Sequence, residues 1–366
     1  MNTKKINELK KWMVDENIDL TYISDPGHIA YFSGYKSDPH ERVLALFISL
    51  THDSFLFTPA LEVEDAQQSE WTFPVYGYLD SEDPWKKITA IINQHASPKK
   101  IAVEKEALSV ARFDRLTKFF PTADFSANAT PIIEKLQLLK TEDEVDKLLA
   151  AGHWADVALE IGFKAVKKGA KEQEIIAEIE YQLKRRGISQ MSFDTLVLAG
   201  KNAASPHGAP GQSAVAAGDL VLFDLGVVHN GYCSDVTRTI AYQNPTDFQK
   251  KIYGIVLEAQ LEALSAVKPG ITAGELDEIA RGVISRYGYG EYFNHRLGHG
   301  IGTTVHEYPS LITGNDLVIE EGMCFSIEPG IYIPGEVGVR IEDCLHVTKT
   351  GCETFTKTPK ELLIIE

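Results

Sequence analysis

The second half of the chain carries a run of acid and imidazole blocks: Phe223-Asp224-Leu225-Gly226, Cys233-Ser234-Asp235, Leu297-Gly298-His299-Gly300, Ile327-Glu328-Pro329-Gly330 and Arg340-Ile341-Glu342-Asp343. Asp224, Asp235, His299, Glu328 and Glu342 are the candidate ligands. Four carboxylates and one imidazole match the donor set of a site for two divalent cations. Mostly oxygen donors with a single imidazole favour Mn²⁺ or Co²⁺, with Zn²⁺ also admissible. Two such ions about 3.5–4 Å apart can hold a hydroxide between them and polarise a carbonyl, so the chemistry implied is metal-assisted hydrolysis. Taken singly, each acid reads better as a turn cap or as a partner of Arg238 or Arg340. Five together do not, because several buried like charges need a shared cation.

Three histidines join this set as catalytic candidates: His207, His295 and His306. An imidazole beside a tetrahedral intermediate can donate to the oxyanion or carry a proton. Each alone is more often structural, and only their clustering raises the odds; His229 and His346 are read as structural. Arg296 and Arg340 could grip a substrate carboxylate bidentately. Arg340 equally could neutralise the acids. His299 stands between Gly298 and Gly300, where a backbone without side chains can pass close to a metal centre.

The acids recur in a pattern. Gly218, five residues, Asp224, one residue, Gly226 is repeated as Gly322, five residues, Glu328, one residue, Gly330. Each block runs through a turn, Asn230-Gly231 or Pro334-Gly335, and returns with a second acid, Asp235 or Glu342. Two strand–turn–strand units around a pseudo-twofold axis would converge all four acids on one cavity.

These groups need a scaffold, and 366 residues are enough for two domains. Apolar spacing predicts a helix over Ile6–Glu16, strands at Leu20–Ile23, Val43–Ser49, Phe55–Thr58 and Lys100–Val103, and a helix from Asp83 through Pro84 to Ile92. This is a small α/β domain without a phosphate loop or dinucleotide fingerprint. A seam near Thr130 divides residues 1–130 from 131–366. Thr141-Glu142-Asp143-Glu144 is a capping box opening a long helix to about Val166, stopped by Lys167-Lys168-Gly169. A second helix follows at Glu172–Arg185, closed by Gly187. The expected fold class is α/β, with strands and helices alternating again to the C-terminus.

The balance of 36 basic against 52 acidic residues gives −16, a surface that repels nucleic acid and anionic membranes. The four cysteines show no metal or disulfide spacing. There is no apolar signal core and no run of about 18 apolar residues. A cytoplasmic protein is expected.

At the acid blocks the chain resembles the proline-specific metallopeptidases that share the pita-bread fold with methionine aminopeptidase. The likeness spans the second domain, and the first is similar to the creatinase-type N-terminal domain. In length, and in Gly34-Tyr35-Lys36-Ser37-Asp38-Pro39-His40-Glu41-Arg42, the chain looks most like bacterial Xaa-Pro dipeptidases (prolidases). The resemblance implies that Asp224 chelates one metal, Asp235 and Glu342 bridge both, and His299 and Glu328 complete the coordination of the second metal. It also implies Glu328, itself a ligand of that metal, as proton shuttle for the attacking hydroxide, His207 and His306 steadying substrate and intermediate, and His295 in support. Arg296, with His295, is expected to contact the substrate carboxylate. The segment bearing Asp38 and His40 reads either as a solvated turn or as a lid over the cleft, reaching it from a partner subunit. The implied reaction is cleavage of Xaa-Pro dipeptides to an amino acid and proline, by a homodimer with two divalent ions, Mn²⁺ first. The alternatives are an Xaa-Pro aminopeptidase acting on longer peptides and a peptide-binding protein that has lost catalysis. Creatinase activity is disfavoured by the intact acid set, and methionine aminopeptidase commonly lacks such an N-terminal domain.

Overall fold

The computed structural model describes residues 3–94, 97–205 and 208–366. The chain divides into two compact units, Met1–Leu136 and Gln137–Glu366.

In the first unit the apolar runs become one five-stranded sheet, ordered Val75–Tyr78, Phe55–Pro59, Ala45–Ser49, Leu20–Ile23, Ile101–Val103. Side chains alternate along a strand, and here both faces are apolar. Leu46, Ile48, Leu56 and Ile23 join one core with Leu9 and Met13 of the helix Thr3–Asp15. Ala45, Phe47, Phe55, Phe57 and Tyr22 join another with Trp85 and Ile88 of the helix Pro84–Ile92. Asp83 caps that helix as its sequence predicts, accepting from Trp85 N at 3.0 Å. The strand expected from Val43 starts at Ala45. Val43 instead donates its N–H to the Tyr78 hydroxyl at 2.6 Å and so leaves the ladder.

In the second unit the long helix is Glu142–Ala165, with Thr141 and Glu144 forming the reciprocal cap. It ends with Val166 in an extended conformation rather than on a left-handed glycine; Gly169, at φ +81°, belongs to the turn that follows. With Glu172–Arg185 it covers one face of the sheet Ile364–Ile365, Val236–Tyr242, Leu220–Leu225, Leu196–Ala199. A second helix pair, Asp247–Ala266 and Ala273–Arg286, packs against core side chains of the sheet Glu307–Leu311, Gly298–Gly300, Cys324–Ile327, Asp343–Val347, Cys352–Thr354. Among the described residues no helix is long and apolar enough to cross a membrane.

The repeat read from the acid blocks is present as a strand, a short hairpin and a returning strand. Leu220–Leu225 pairs antiparallel with Val236–Tyr242 around the hairpin of Val228–His229 and Tyr232–Cys233. Cys324–Ile327 pairs antiparallel with Asp343–Val347 around the hairpin Gly330–Ile333 and Val337–Arg340. Alternation then decides which way the acids look. Val221, Phe223 and Leu225 enter the core under the first helix pair, so Asp224 falls on the opposite face. Phe325 and Ile327 enter the core under the second pair, so Ser326 and Glu328 also fall on the other face.

Candidate metal centre

Each repeat thus sets one acid where its outgoing strand ends and one where its return begins. Asp224, Asp235, Glu328 and Glu342 line a single cavity of about 590 Å³ with His299, His306, His295, Arg296 and Arg340. Donor atoms of Asp235, His299 and Glu342 lie within 4.8 Å of one another, and all three residues are buried. His299 Nε2 is 3.3 Å from Glu328 Oε1 and 3.6 Å from Asp235 Oδ2.

The tautomer of His299 follows from its other nitrogen. Nδ1 is 3.1 Å from the Gly300 carbonyl, which only accepts, so Nδ1 carries the hydrogen. Burial, and then the neighbouring His306 ring, pull its pKa down to about 3, so the ring is neutral. Nε2 therefore presents a lone pair to two carboxylates, an arrangement of acceptors that a cation between them satisfies.

The acids carry the same signature. Burial, then the charges of Glu342, Asp224 and Glu328, raise the Asp235 pKa well above its ordinary value. Burial, then Glu328 and Asp224, do the same to Glu342. Glu328 is pushed up to about 7, mainly by burial and partly offset by Arg340. Glu342 Oε1 is buried and, among the described residues, has no hydrogen-bond donor. An orphaned buried oxygen, clustered carboxylates and a lone pair aimed at them fit divalent cations held by oxygen and imidazole.

Protein groups hold this set in place. Thr237 Oγ1 donates to Glu342 Oε2 at 2.6 Å and accepts from Arg340 Nε at 3.0 Å. The Arg340 guanidinium also pairs with Asp224 and donates to the Tyr332 hydroxyl at 2.6 Å. It is 6% exposed, so the structure favours the charge-neutralising alternative for Arg340 over a free substrate anchor. Ser326 Oγ bonds Glu328 Oε1 at 3.0 Å and accepts from His299 N at 3.0 Å. Thr237, Ser326 and Tyr332 were not singled out in the sequence. Two of them stand two residues from an acid in a strand-like run, Thr237 after Asp235 and Ser326 before Glu328, and period-two alternation was the signal that would have found them.

The glycines around His299 answer to packing. A Cβ on Gly298 would lie 1.9 Å from the Ser326 carbonyl oxygen, and one on Gly300 would lie 2.2 Å from that of Tyr308. They let neighbouring strands close up, which corrects the reading that they make room for a metal.

The remaining candidates are distributed as follows. His306 meets His299 edge to face, with ring centroids 4.3 Å apart. His295 gives its Nδ1 hydrogen to the Arg296 carbonyl at 2.8 Å, and its buried Nε2 has no partner among the described residues. Its pKa falls to about 4, chiefly by burial, then by Arg340. Among the described residues Arg296 hydrogen-bonds only Ser310 Oγ, at 3.3 Å. The segment that carries both is braced from behind: Arg281 donates to the carbonyls of Phe293 and His295 at 2.7 and 2.9 Å, and Asp277 receives Leu297 N at 3.0 Å. His207 lies outside the described residues. Asp38 and His40 belong to the first unit, with side chains 82% and 72% exposed. Of the cysteines, Cys233, Cys324 and Cys344 fill a small apolar cluster with Leu148 and Phe355.

Comparison with known proteins sets this geometry in context. Residues 146–349 match the model of metallopeptidase family M24, and residues 5–138 match the Creatinase/Prolidase N-terminal domain. The chain is 54% identical, over 98% of both sequences, to an Xaa-Pro dipeptidase of Lactobacillus helveticus. It is 34% identical to the solved Xaa-Pro dipeptidase from Bacillus anthracis, with a TM-score of 0.92 and full coverage of both chains. It is also similar to an X-Pro aminopeptidase from Thermotoga maritima, at 32% identity, a TM-score of 0.86, and coverage of 95% of this chain and 98% of that one.

Proposed function

Because the chain belongs to metallopeptidase family M24, we propose that it hydrolyses the Xaa-Pro bond of dipeptides, releasing an amino acid and proline. The observation that carries this reading is the 54% identity, end to end, to an Xaa-Pro dipeptidase. The acid cavity supplies the matching chemistry.

In this reading Asp224, Asp235, His299, Glu328 and Glu342 hold two divalent ions, Mn²⁺ first and Co²⁺ or Zn²⁺ as alternatives. When bound, the ions supply Lewis acidity and a nucleophile at neutral pH. The protein supplies the rest. Glu328 accepts and returns the proton that the attack releases. His306, beside His299, faces the forming oxyanion. His207 is assigned the same task from its sequence context alone. Arg296 takes the substrate carboxylate, the one charged group that distinguishes a dipeptide from a longer chain at this position. An Xaa-Pro bond is a tertiary amide with no N–H, so recognition must rest on the free amino end, the ring and that carboxylate.

The Thermotoga maritima neighbour keeps a second reading in view, an aminopeptidase on longer peptides. Apoenzyme reconstituted with Mn²⁺, Co²⁺ or Zn²⁺ and assayed on Leu-Pro, Leu-Pro-Gly and Leu-Gly separates them. Cleavage confined to Leu-Pro is expected. Preference for Leu-Pro-Gly moves the assignment to the aminopeptidase, and no cleavage with any ion rejects both.

A further inference from the structure

Lys140 lies between the stretches matched by the two family models, which end at residue 138 and begin at residue 146. Its backbone N–H bonds the Gly322 carbonyl at 2.9 Å. Its ammonium is 2.7 Å from Glu307 Oε2 and 2.6 Å from the Gln137 carbonyl. The side chains of Lys140 and Glu307 are 2% and 3% exposed. Burial pulls the Lys140 pKa down; Glu307 first, with Cys324 and Glu144, together outweigh it and hold the ammonium above its ordinary value. A buried ion pair is a poor source of net stability, because desolvation offsets the attraction. This one is placed where a loop needs a fixed shape.

Glu307 is the residue after His306, and the loop between them and Gly302 winds around its carboxylate. Oε1 receives Thr304 N at 3.2 Å and Thr303 Oγ1 at 3.3 Å. Gly302 leaves the space, since a Cβ there would stand 2.5 Å from both carboxylate oxygens. The strand ladder does not set this loop by itself: pairing slips between His299 and Gly300, from His299 opposite Ser310 to Gly300 opposite Glu307. What places the His306 ring 4.3 Å from His299 is therefore the loop and the charge at its centre.

We propose that Lys140 and Glu307 are positioning residues for His306, the lysine locking the carboxylate around which the His306 loop is wound. The inference rests on the reading of His306 as a group facing the reacting substrate.

The test uses the Mn²⁺-loaded enzyme, with kcat and KM on Leu-Pro, bound metal, and hydrogen exchange of the amides of residues 302–306. Lys140→Met/Glu307→Gln removes both charges and leaves neither ion orphaned. It is expected to lower kcat about 100-fold, with KM and bound metal little changed, and to speed exchange in the loop. Lys140→Arg, which keeps the charge beside Glu307, is expected to retain most of kcat. In a His306→Ala background the same pair change should cost less than about twofold more, since residues acting through one group are not additive. Full kcat in the pair variant overturns the proposal, as does a loss that multiplies with that of His306→Ala. An impaired His306→Ala beside an unimpaired pair variant sinks only the positioning role. An unimpaired His306→Ala removes the reading of His306, and the positioning role falls with it. Should the pair variant not fold, Glu307→Asp, which keeps the charge and shortens the reach, is expected to show the same kcat loss; unchanged kcat there overturns the proposal.

Discussion

Thr237 Oγ1 stands 2.6 Å from Glu342 Oε2, so a hydroxyl from the first strand–hairpin–strand repeat holds a carboxylate from the second. The same hydroxyl accepts from Arg340 Nε at 3.0 Å. We predict that Thr237→Val, nearly equal in volume, weakens cation binding about 10–100-fold, the usual loss when a group orienting a ligand is removed. Calorimetric titration of the chelated protein with Mn²⁺ checks this. Unchanged affinity would mean that Glu342 needs no such hold.

Glu328 makes the cation-free protein sensitive to pH in a definite direction. Its folded pKa, about 7, lies above the ordinary 4.5. The protonated form is thus favoured by folding, and its contribution is present below the unfolded pKa and lost as pH rises through the folded one. His295 and His299, both lowered, act in the opposite sense over part of this range, so the test must isolate the acid. With chelator present, the stability of Glu328→Gln relative to the parent should rise from about pH 5 to about pH 8, by up to about 3 kcal/mol. Parallel melting curves for the two proteins across that range would contradict the assignment.

Arg340 compensates acids that cations would otherwise compensate. Its guanidinium pairs with Asp224 and is almost fully buried. Arg340→Met should therefore cost about 3–5 kcal/mol in the chelated protein and clearly less with Mn²⁺ bound. Denaturant unfolding in both conditions gives the comparison. Equal losses would show that the arginine supports packing alone and not the balance of charge.

Of the five candidate ligands, Asp224 and Glu328 were readable in the chain because each closes a short apolar strand just before a glycine or turn. Once the Gly218 and Gly322 blocks are aligned, alternation alone sends Asp224 and Glu328 away from the helix-covered faces. What could not be read were contacts between segments far apart in the sequence. Thr237 meets Glu342, and Lys140 meets Glu307 across 167 positions of sequence, through geometry that only the closed fold creates. The glycines beside His299 misled for the same reason, since the crowding atoms, Ser326 and Tyr308 carbonyls, come from neighbouring strands. Asp343 was likewise invisible behind Glu342: it pairs with buried Arg238 at 2.7 Å and serves the core, while its neighbour serves the cavity.

Among the described residues the Arg296 guanidinium has a single weak hydrogen-bond contact, to Ser310 Oγ at 3.3 Å. If it takes the substrate carboxylate, Arg296→Ala should raise KM for Leu-Pro by about 10–100-fold, the scale of a charged hydrogen bond. Leu-Pro-amide, which lacks the carboxylate, should be hydrolysed by parent and variant alike. Equal losses on the two substrates would remove the anchor role and point to a general defect of the cavity.

The segment from Ser37 to Arg42 is tied at both ends and presented in the middle. Ser37 Oγ and the Tyr35 hydroxyl both donate to Glu62 Oε2 at 2.7 Å, and Arg42 pairs bidentately with Asp80 at 2.9 Å. Between these anchors Asp38 and His40 are solvent-exposed, His40 with φ +53°. If the segment limits substrate length, as its reading as a lid from a partner subunit implies, these anchors hold its shape. Replacing residues 38–41 with Gly-Ser, both anchors kept, should raise the rate on Leu-Pro-Gly relative to Leu-Pro by about tenfold, the scale of a modest steric discrimination. Sedimentation of the same variant shows whether the homodimer that the resemblance implies forms and survives the change. An unaltered rate ratio would assign the segment to the solvent-facing surface and leave length selectivity to the cavity itself.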